Sequence, residues 1–454
     1  MRGITITMTN NNPIKMANLA GEIIIYTRPW FSAYYSLLES ALVNNFGCDV
    51  SFVSDYSVSG SFDLRSTAVS HYENSRKRCG NDKIKPYIND IIKRDRLLRT
   101  LNRNEAEFRV HSYYYAIQDY FVGRKVICVI SATVDQYVVD LIYLYCIINK
   151  IPFIGYHISV LPGYTLFTAR GETQRYRRVA SDEIDHAIGV ISDRAFRPAY
   201  IPKPNALKIA GLKRYGKTII RYIYYRILSF FPAYKLNYHV EASISESRKR
   251  LSFDIVRALT WRCEKVPPGR YLYLPLQFHP ECNSEYWDRN DTYEDYEDKI
   301  IRFARINSAH WNIVVKEHPN MLGVRLASFY RALKKSGCKI VHPNQDHRSL
   351  LRESYAVVTL NSSAGIEGLC EGKVIICLSK PYYRSEYHLI KTPEEIIKSD
   401  EIESILNKRD PVVSLRDTVR ITVEGSAPIH LPDINFRTDT DSLGYGLESA
   451  KIFS

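Results

Sequence analysis

Two stretches of this 454-residue chain end apolar runs in residue types that bind anions. Trp311-Asn312-Ile313-Val314-Val315 runs into Lys316-Glu317-His318-Pro319, and Tyr355 to Leu360 runs into Asn361-Ser362-Ser363-Ala364-Gly365-Ile366-Glu367-Gly368. The β-branched runs have strand length, and the small residues after the second open a helix. Strand ends of an open α/β sheet border the ligand crevice, where a helix start offers N–H groups and a positive dipole to a phosphate. Lys316, His318, Asn361, Ser362, Ser363 and Gly365 are therefore expected to line the phosphate side of a nucleotide-linked donor. Glu367, one turn on, either reaches a ribose hydroxyl or is an exposed helix residue. Each stretch alone has a structural alternative: an ordinary strand-end histidine, a serine helix cap, a glycine for close packing. The pair together favours the crevice.

A third strand end carries acid–base groups. The alternating Tyr and Leu of Arg270 to Leu276 run into Gln277-Phe278-His279-Pro280-Glu281. Transfer to a hydroxyl needs a group that accepts its proton. The candidates are Glu281, His279, Asp135 and Glu172, with His318 also counted as catalytic. Glu281 leads because it follows the strand end, although a solvated or Arg-paired loop acid is as good a reading. Asp135 and Glu172 are candidates for the acceptor side of the cleft. Asp135 also falls in the first turn of an expected helix, where the dipole favours it whatever the function, with Thr133 or Ser131 as cap. Asp288-Arg-Asn-Asp291 reads as a helix start, and no DxD element has supporting context, so neither a metal nor a cofactor is implied beyond the co-substrate.

The elements that must position these residues alternate. Strands are expected at Glu22–Tyr26, Cys48–Val53, Lys125–Thr133 and Ile151–Tyr156, with helices at Pro29–Asn45, over much of 65–120, and at Asp135–Asn149. His157 and VLPGYTLFTARGE then read as a loop holding Glu172. From 270 onward, strand and helix alternate at least five times, the mark of a parallel doubly wound sheet. The expected organisation is a polar leader (1–20), an N-terminal Rossmann-like acceptor domain (21–175), a helical basic connector (176–266), a C-terminal Rossmann-like nucleotide-sugar domain (267–390), and a tail (391–454). The tail is expected to hold one capped helix at Thr392-Pro-Glu-Glu-Ile-Ile.

The connector contains Gly211-Leu-Lys-Arg-Tyr-Gly216-Lys217-Thr218, a match to the phosphate loop GxxxxGK[ST]. Alone, it points to an NTPase or kinase centred on Lys217. Its variable positions are bulky, and no later strand ends in an Asp suited to hold Mg²⁺. The alternative is a basic turn into IIRYIYYRILSFF, a helix that either packs at a domain junction, the favoured reading, or lies against a membrane surface.

Length allows two domains of roughly 200 residues each. Lys and Arg number 62 against 49 Asp and Glu, a net +13, so anionic partners are favoured. No nucleic-acid module is visible, and nucleic acid is not expected as a partner. Nine scattered cysteines without a CxxC pair suit reduced thiols and a cytoplasmic protein. No segment reaches the ~20 apolar residues of a membrane span, which leaves peripheral association at the inner face of a membrane.

Two nucleotide-fold-like halves joined mid-chain amount to the paired-Rossmann, GT-B arrangement of glycosyltransferases, in which donor and acceptor meet in a cleft. The succession LPLQFHPE, VVKEHP and LNSSAGIEGLCEGKVIICL over residues 270–380, with weaker support at 125–172, resembles the bacterial capsule polysaccharide biosynthesis proteins, which include Kdo transferases. The resemblance implies that His318 and Ser362/Ser363 contact the donor phosphate. It also implies transfer from a nucleotide-activated sugar, a CMP-sugar among the candidates, to an oligosaccharide or glycolipid acceptor of a surface polysaccharide. A non-catalytic scaffold of a polysaccharide assembly complex is the third reading.

Overall fold

The computed structural model describes residues 21–29, 32–74, 83–173, 175, 178–193, 196, 207–251, 263–288, 293–318, 321, 325–383, 387–408 and 410–427. The leader expected at 1–20, Pro319 and the stretch 428–454 lie outside them. Two α/β units are present, each built on one sheet.

The first sheet runs β13-β6-β5-β4-β1-β2-β3. Its strands are β1 (Glu22–Tyr26), β2 (Asp49–Ser54), β3 (Ser61–Asp63), β4 (Val126–Ala132), β5 (Phe153–Ile158), β6 (Thr165–Phe167) and β13 (Ser426–Ala427). The first five are parallel. Parallel neighbours need crossovers, most of which here are the helices α1 (Ser32–Phe46), α2 (Leu64–Asn74), α3 (Lys85–Arg94), α4 (Arg103–Phe121) and α5 (Tyr137–Ile148). With helices on both faces, the strands read as unbroken apolar runs, and Ile23, Ile24 and Ile25 are fully buried. Tyr113 and Tyr114 of α4 are core residues as well.

The second sheet runs β12-β11-β10-β7-β8-β9 and is wholly parallel. Its strands are β7 (Tyr271–Pro275), β8 (Asn312–Lys316), β9 (Lys339–Val341), β10 (Ala356–Thr359), β11 (Val374–Cys377) and β12 (His388–Ile390). Order reverses between β7 and β10, the place where a doubly wound sheet opens a crevice at its strand ends. The helices are α9 (Cys282–Glu285), α10 (Tyr296–Asn307), α11 (Ala327–Lys335), α12 (His347–Glu353) and α13 (Ala364–Cys370).

Between the sheets lie α6 (Ser181–Ser192), α7 (Leu207–Leu228) and α8 (Tyr238–Leu251). They divide between the two units. Arg348 Nη2 donates to the Ile191 carbonyl at 2.6 Å, fixing α6 to the second unit, whereas Tyr113 Oη donates to the Leu236 carbonyl at 2.8 Å and Arg109 pairs with Glu241 on the first.

Several expectations need correction. The loop after β5 contains β6, antiparallel to it, because Tyr164–Leu161 closes a turn. Thr392–Ile397 is not a helix: Glu395 accepts from Thr392 N at 2.6 Å, and Asn307 Oδ1 accepts from Ile397 N at 2.8 Å, drawing the chain onto α10. The tail instead forms α14 (Ser399–Lys408) and α15 (Pro411–Glu424), and β13 then adds to β6 of the first sheet. The helix expected from Asp291 starts at Tyr296, where Asp295 caps it by accepting from Glu297 N at 2.9 Å.

The phosphate-loop reading fails on geometry. Gly211 to Thr218 lies inside α7, whose backbone is continuous from Leu207 to Leu228. A loop that cradles phosphate must free its N–H groups ahead of a helix, and N–H groups within a helix are already donated to carbonyls. Thr218 is buried, whereas Lys217 is exposed.

Candidate functional site

The ends of β7, β8 and β10 bring three sequence stretches together. Gln277 Nε2 donates to Asn361 Oδ1 at 3.3 Å, and Asn361 Nδ2 donates to the Asn283 carbonyl at 2.7 Å. Asn361 therefore ties the β7 and β10 ends to α9 and is itself only 3% exposed. Its place is a structural bridge beside the crevice.

The stretch after β8 separates inner from outer residues. Glu317 is fully enclosed: Arg325 Nε donates to its Oε2 at 2.9 Å, Tyr330 Oη donates to the same oxygen, and His318 N donates to Oε1 at 2.6 Å. Arg325, with Glu297 as second partner at 3.0 Å and the Gln277 carbonyl as a further acceptor, is the buried clamp behind the loop. Glu317 thereby fixes the backbone on which His318 stands. His318 is half-buried, edge-on to Phe278 with ring centroids 6.0 Å apart.

Around His318 and Lys316 gather groups that the motifs did not single out. His347 opens α12 behind the cap Asp346, its Nδ1 2.8 Å from Tyr273 Oη. Burial pushes its imidazole down to about 3, helped by the positive charges of Lys316 and Arg348 and by His318, with Asp346 opposing. Glu367 faces this cluster from α13, with Oε2 3.6 Å from His347 Nε2 and 3.8 Å from Arg348 Nε. It is buried, so its reading as an exposed helix residue falls. Burial raises its carboxyl to about 7, against the pull of Arg348, a hydrogen bond with Ser363 and the charge of Lys316. The signal for His347 and Arg348 was present: β9 ends in His342-Pro-Asn-Gln-Asp-His347-Arg348, another strand running into polar residues.

Ser362 and Ser363 occupy the turn into α13. Thr359 Oγ1 accepts from Ser362 N at 3.2 Å and lies 2.8 Å from Ser362 Oγ, and Ser363 stands at the N-cap without a side-chain cap bond. Gly365 has a packing reason, not a ligand-facing one: a Cβ there would fall on the Tyr383 hydroxyl, which donates to the Ser362 carbonyl. Tyr383 thus seals the back of the serine turn.

Residues 264–386 match the family model described as capsule polysaccharide biosynthesis protein. The match covers the second unit's strand ends and not the first unit. That region contains β7, β8, β10, both anion-binding stretches and the His347–Glu367 cluster. No curated protein matches the sequence. Among solved structures, the chain resembles the Thermosulfurimonas dismutans KpsC beta Kdo 2,7 transferase at 12% identity, over 74% of this chain and 89% of that one, with a TM-score of 0.34. The beta Kdo 2,4 transferase of the same KpsC matches at 16% identity over 66% and 80%, TM-score 0.31. The UDP-GlcNAc 2-epimerase of Neisseria meningitidis matches at 11% identity over 89% and 98%, TM-score 0.24. These likenesses are loose.

The matched region meets the first unit through α9 and the three residues after it. Trp287 Nε1 donates to Thr133 Oγ1 at 2.9 Å, Tyr286 Oη to Asp95 Oδ2 at 3.0 Å, and Arg96 pairs with Glu285 at 2.6 Å. Thr133 and His157, at the ends of β4 and β5, therefore face Trp287 across the boundary, with His157 edge-on to it at 5.0 Å. Two expectations about the start of α5 fall here. Thr133 spends its own hydroxyl on the Ala169 carbonyl, and neither it nor Ser131 caps the helix; Asp95 does, accepting from Tyr137 N at 2.8 Å. Asp135 precedes the helix and is held by Arg28 through two bonds of 2.9 and 2.6 Å. Burial would raise its carboxyl, but Arg28 holds it below the usual range.

The remaining acid–base candidates divide clearly. Glu172 is committed to its own turn, accepting from Ala169 N and Arg170 N at 2.6 Å each. His279 is buried, with Nδ1 2.9 Å from Ser284 Oγ and Nε2 3.6 Å from Asp295 Oδ2, and burial lowers it to about 4 despite that carboxylate. Its contacts are those of a residue that fixes α9. Glu281 forms a capping box with Ser284 yet keeps part of its surface exposed. Burial raises its carboxyl to about 7, with Arg96 opposing and Glu285 adding to the rise. A carboxyl poised near neutrality at the domain boundary suits proton transfer.

Proposed function

We propose that this protein is a glycosyltransferase that moves a sugar from a nucleotide-activated donor, a CMP-sugar among the candidates, to a growing capsular or other surface polysaccharide. The observation that carries this reading is the gathering of Lys316, His318, Arg348 and Ser363 around the His347–Glu367 pair at the strand ends of the matched region.

In the reaction, an acceptor hydroxyl oxygen bonds to the anomeric carbon while the bond from that carbon to the nucleotide phosphate breaks. The electron pair goes to the departing phosphate. Lys316, a ring N–H of His318 and the Ser362 and Ser363 hydroxyls would stabilise the charge that collects there. Glu367, near neutrality, fits a hydrogen bond to a ribose hydroxyl. Glu281 would take the acceptor's proton; it caps α9, whose Asn283 carbonyl accepts from Asn361. Asp135 and His157 face the same boundary from the first unit and fit the acceptor side, with an oligosaccharide or glycolipid as acceptor. Nucleic acid is not part of this reading.

The test is release of free nucleotide from a panel of CMP-, UDP- and GDP-sugars in the presence of capsular oligosaccharide or glycolipid acceptors. Acceptor-dependent release that is lost in Glu281→Gln supports the proposal. Release from none of them by a folded chain would contradict it and favour the scaffold.

A further inference from the structure

We infer that the outward face of α7 is a docking surface for an anionic lipid bilayer. The helix has two faces of different fate. On one, Thr218 is buried, Arg221 Nη2 donates to Ser243 Oγ at 2.9 Å, and Tyr225 Oη lies 2.7 Å from His239 Nε2, so this face is committed to α8. On the other, Ile220, Ile223, Tyr224 and Ile227 recur three and four residues apart, forming one stripe. Ile220 is 70% exposed and Ile227 54%, and the turn that follows continues the stripe with Phe230 at 75%. Water-facing surfaces tolerate scattered apolar residues, but a contiguous row of large ones marks an interaction surface.

The rim identifies the occupant. Lys217 and Arg226 are exposed along the stripe's two flanks, with the Arg226 guanidinium 5.5 Å from the Phe230 ring. A helix with an apolar face, basic flanks, and aromatic residues at its end lies in a bilayer interface with its apolar side among the acyl chains. A second copy of this chain is a poorer fit. In a two-fold pairing, each basic rim would meet basic residues of its twin, on a chain already at net +13. Anionic headgroups complement the rim, and acyl chains complement the stripe. No described helix is long and apolar enough to cross a membrane, so contact through α7 is interfacial. The surface is remote in sequence from the matched region, and its occupancy does not depend on the donor or on turnover.

The test is flotation of the full chain, without donor, with vesicles of phosphatidylcholine alone or mixed with phosphatidylglycerol. The expected result is binding to the mixed vesicles only, weakening as salt is raised. Replacing Ile220, Ile223 and Ile227 together by Ser should lower the partition coefficient by at least ~tenfold. Lys217→Glu with Arg226→Glu should lower it by roughly tenfold or more. Unchanged thermal unfolding of both variants confirms that the fold is intact. Absent binding, equal binding to neutral vesicles, or binding that neither variant alters would overturn the proposal. So would a wild-type dimer that the triple variant converts to monomer, which would assign the stripe to a second copy.

Discussion

His347 and Glu367 face each other at 3.6 Å across the strand ends of the second sheet, and burial drives both toward their neutral forms. The two shifts give opposite pH slopes. His347 is lowered from 6.5 to about 3, so between those values the unfolded chain binds the extra proton and stability rises with pH. Glu367 is raised from 4.5 to about 7, so between those values the folded chain binds it and stability falls as pH rises. Between 4.5 and 6.5 the two slopes oppose each other, so Glu367→Gln should make stability climb more steeply with pH there, and His347→Asn should lessen the acid-side loss between 3 and 6.5. Urea midpoints measured across pH check both, and slopes identical to wild type would refute the assignment.

The Arg325–Glu317 pair is buried on both sides, and the other carboxylate oxygen of Glu317 accepts from His318 N. Arg325→Ala leaves an uncompensated carboxylate and should cost about 3–5 kcal/mol. Chemical unfolding measures this loss. The less disruptive Tyr330→Phe should cost about 1 kcal/mol through the lost hydrogen bond alone.

Gly365 meets the Tyr383 hydroxyl where a Cβ would go. Gly365→Ala should therefore destabilise by about 1–3 kcal/mol. Adding Tyr383→Phe should return part of that loss, because the hydroxyl is the nearest obstacle. A cycle with no coupling would place the demand for glycine elsewhere.

These relationships show what was readable in the chain. Strand ends such as Val315-Lys316 and Leu360-Asn361 announce themselves, because apolar runs buried on both faces stop where the crevice begins. The cap of α5 was not readable, since Asp95 reaches Tyr137 from 42 residues away and displaces the local candidates Thr133 and Ser131. Glu172 and His279 had the right residue types, but whether their polar atoms were spent on a turn or on a cap depends on contacts that only folding creates. The GxxxxGKT match failed for the converse reason: a local pattern was absorbed into a helix whose inner face is set by α8.

Lys217 lies on the surface of α7, away from any phosphate loop. Lys217→Ala should leave nucleotide-sugar turnover within about twofold of wild type, surface substitutions being nearly neutral. A loss of turnover or a gain of ATP dependence traced to Lys217 would revive the NTPase reading.

Glu281 stands near neutrality at the domain boundary. Glu281→Gln should lower the turnover rate by about 10²–10⁴ with donor affinity little changed. Loss of donor affinity instead would make it a positioning residue.

Donor binding at His318 is decisive for the nucleotide-sugar site. Thermal unfolding should be followed with CMP-, UDP- and GDP-sugars for the wild-type chain and for His318→Ala. Binding to the folded state raises stability by about 2.7 kcal/mol at a ligand concentration one hundred times Kd. The wild type should be stabilised by one nucleotide-sugar class, and the variant should lose that stabilisation. Stabilisation by ATP alone, or equal stabilisation of both chains by the sugar nucleotide, would contradict this.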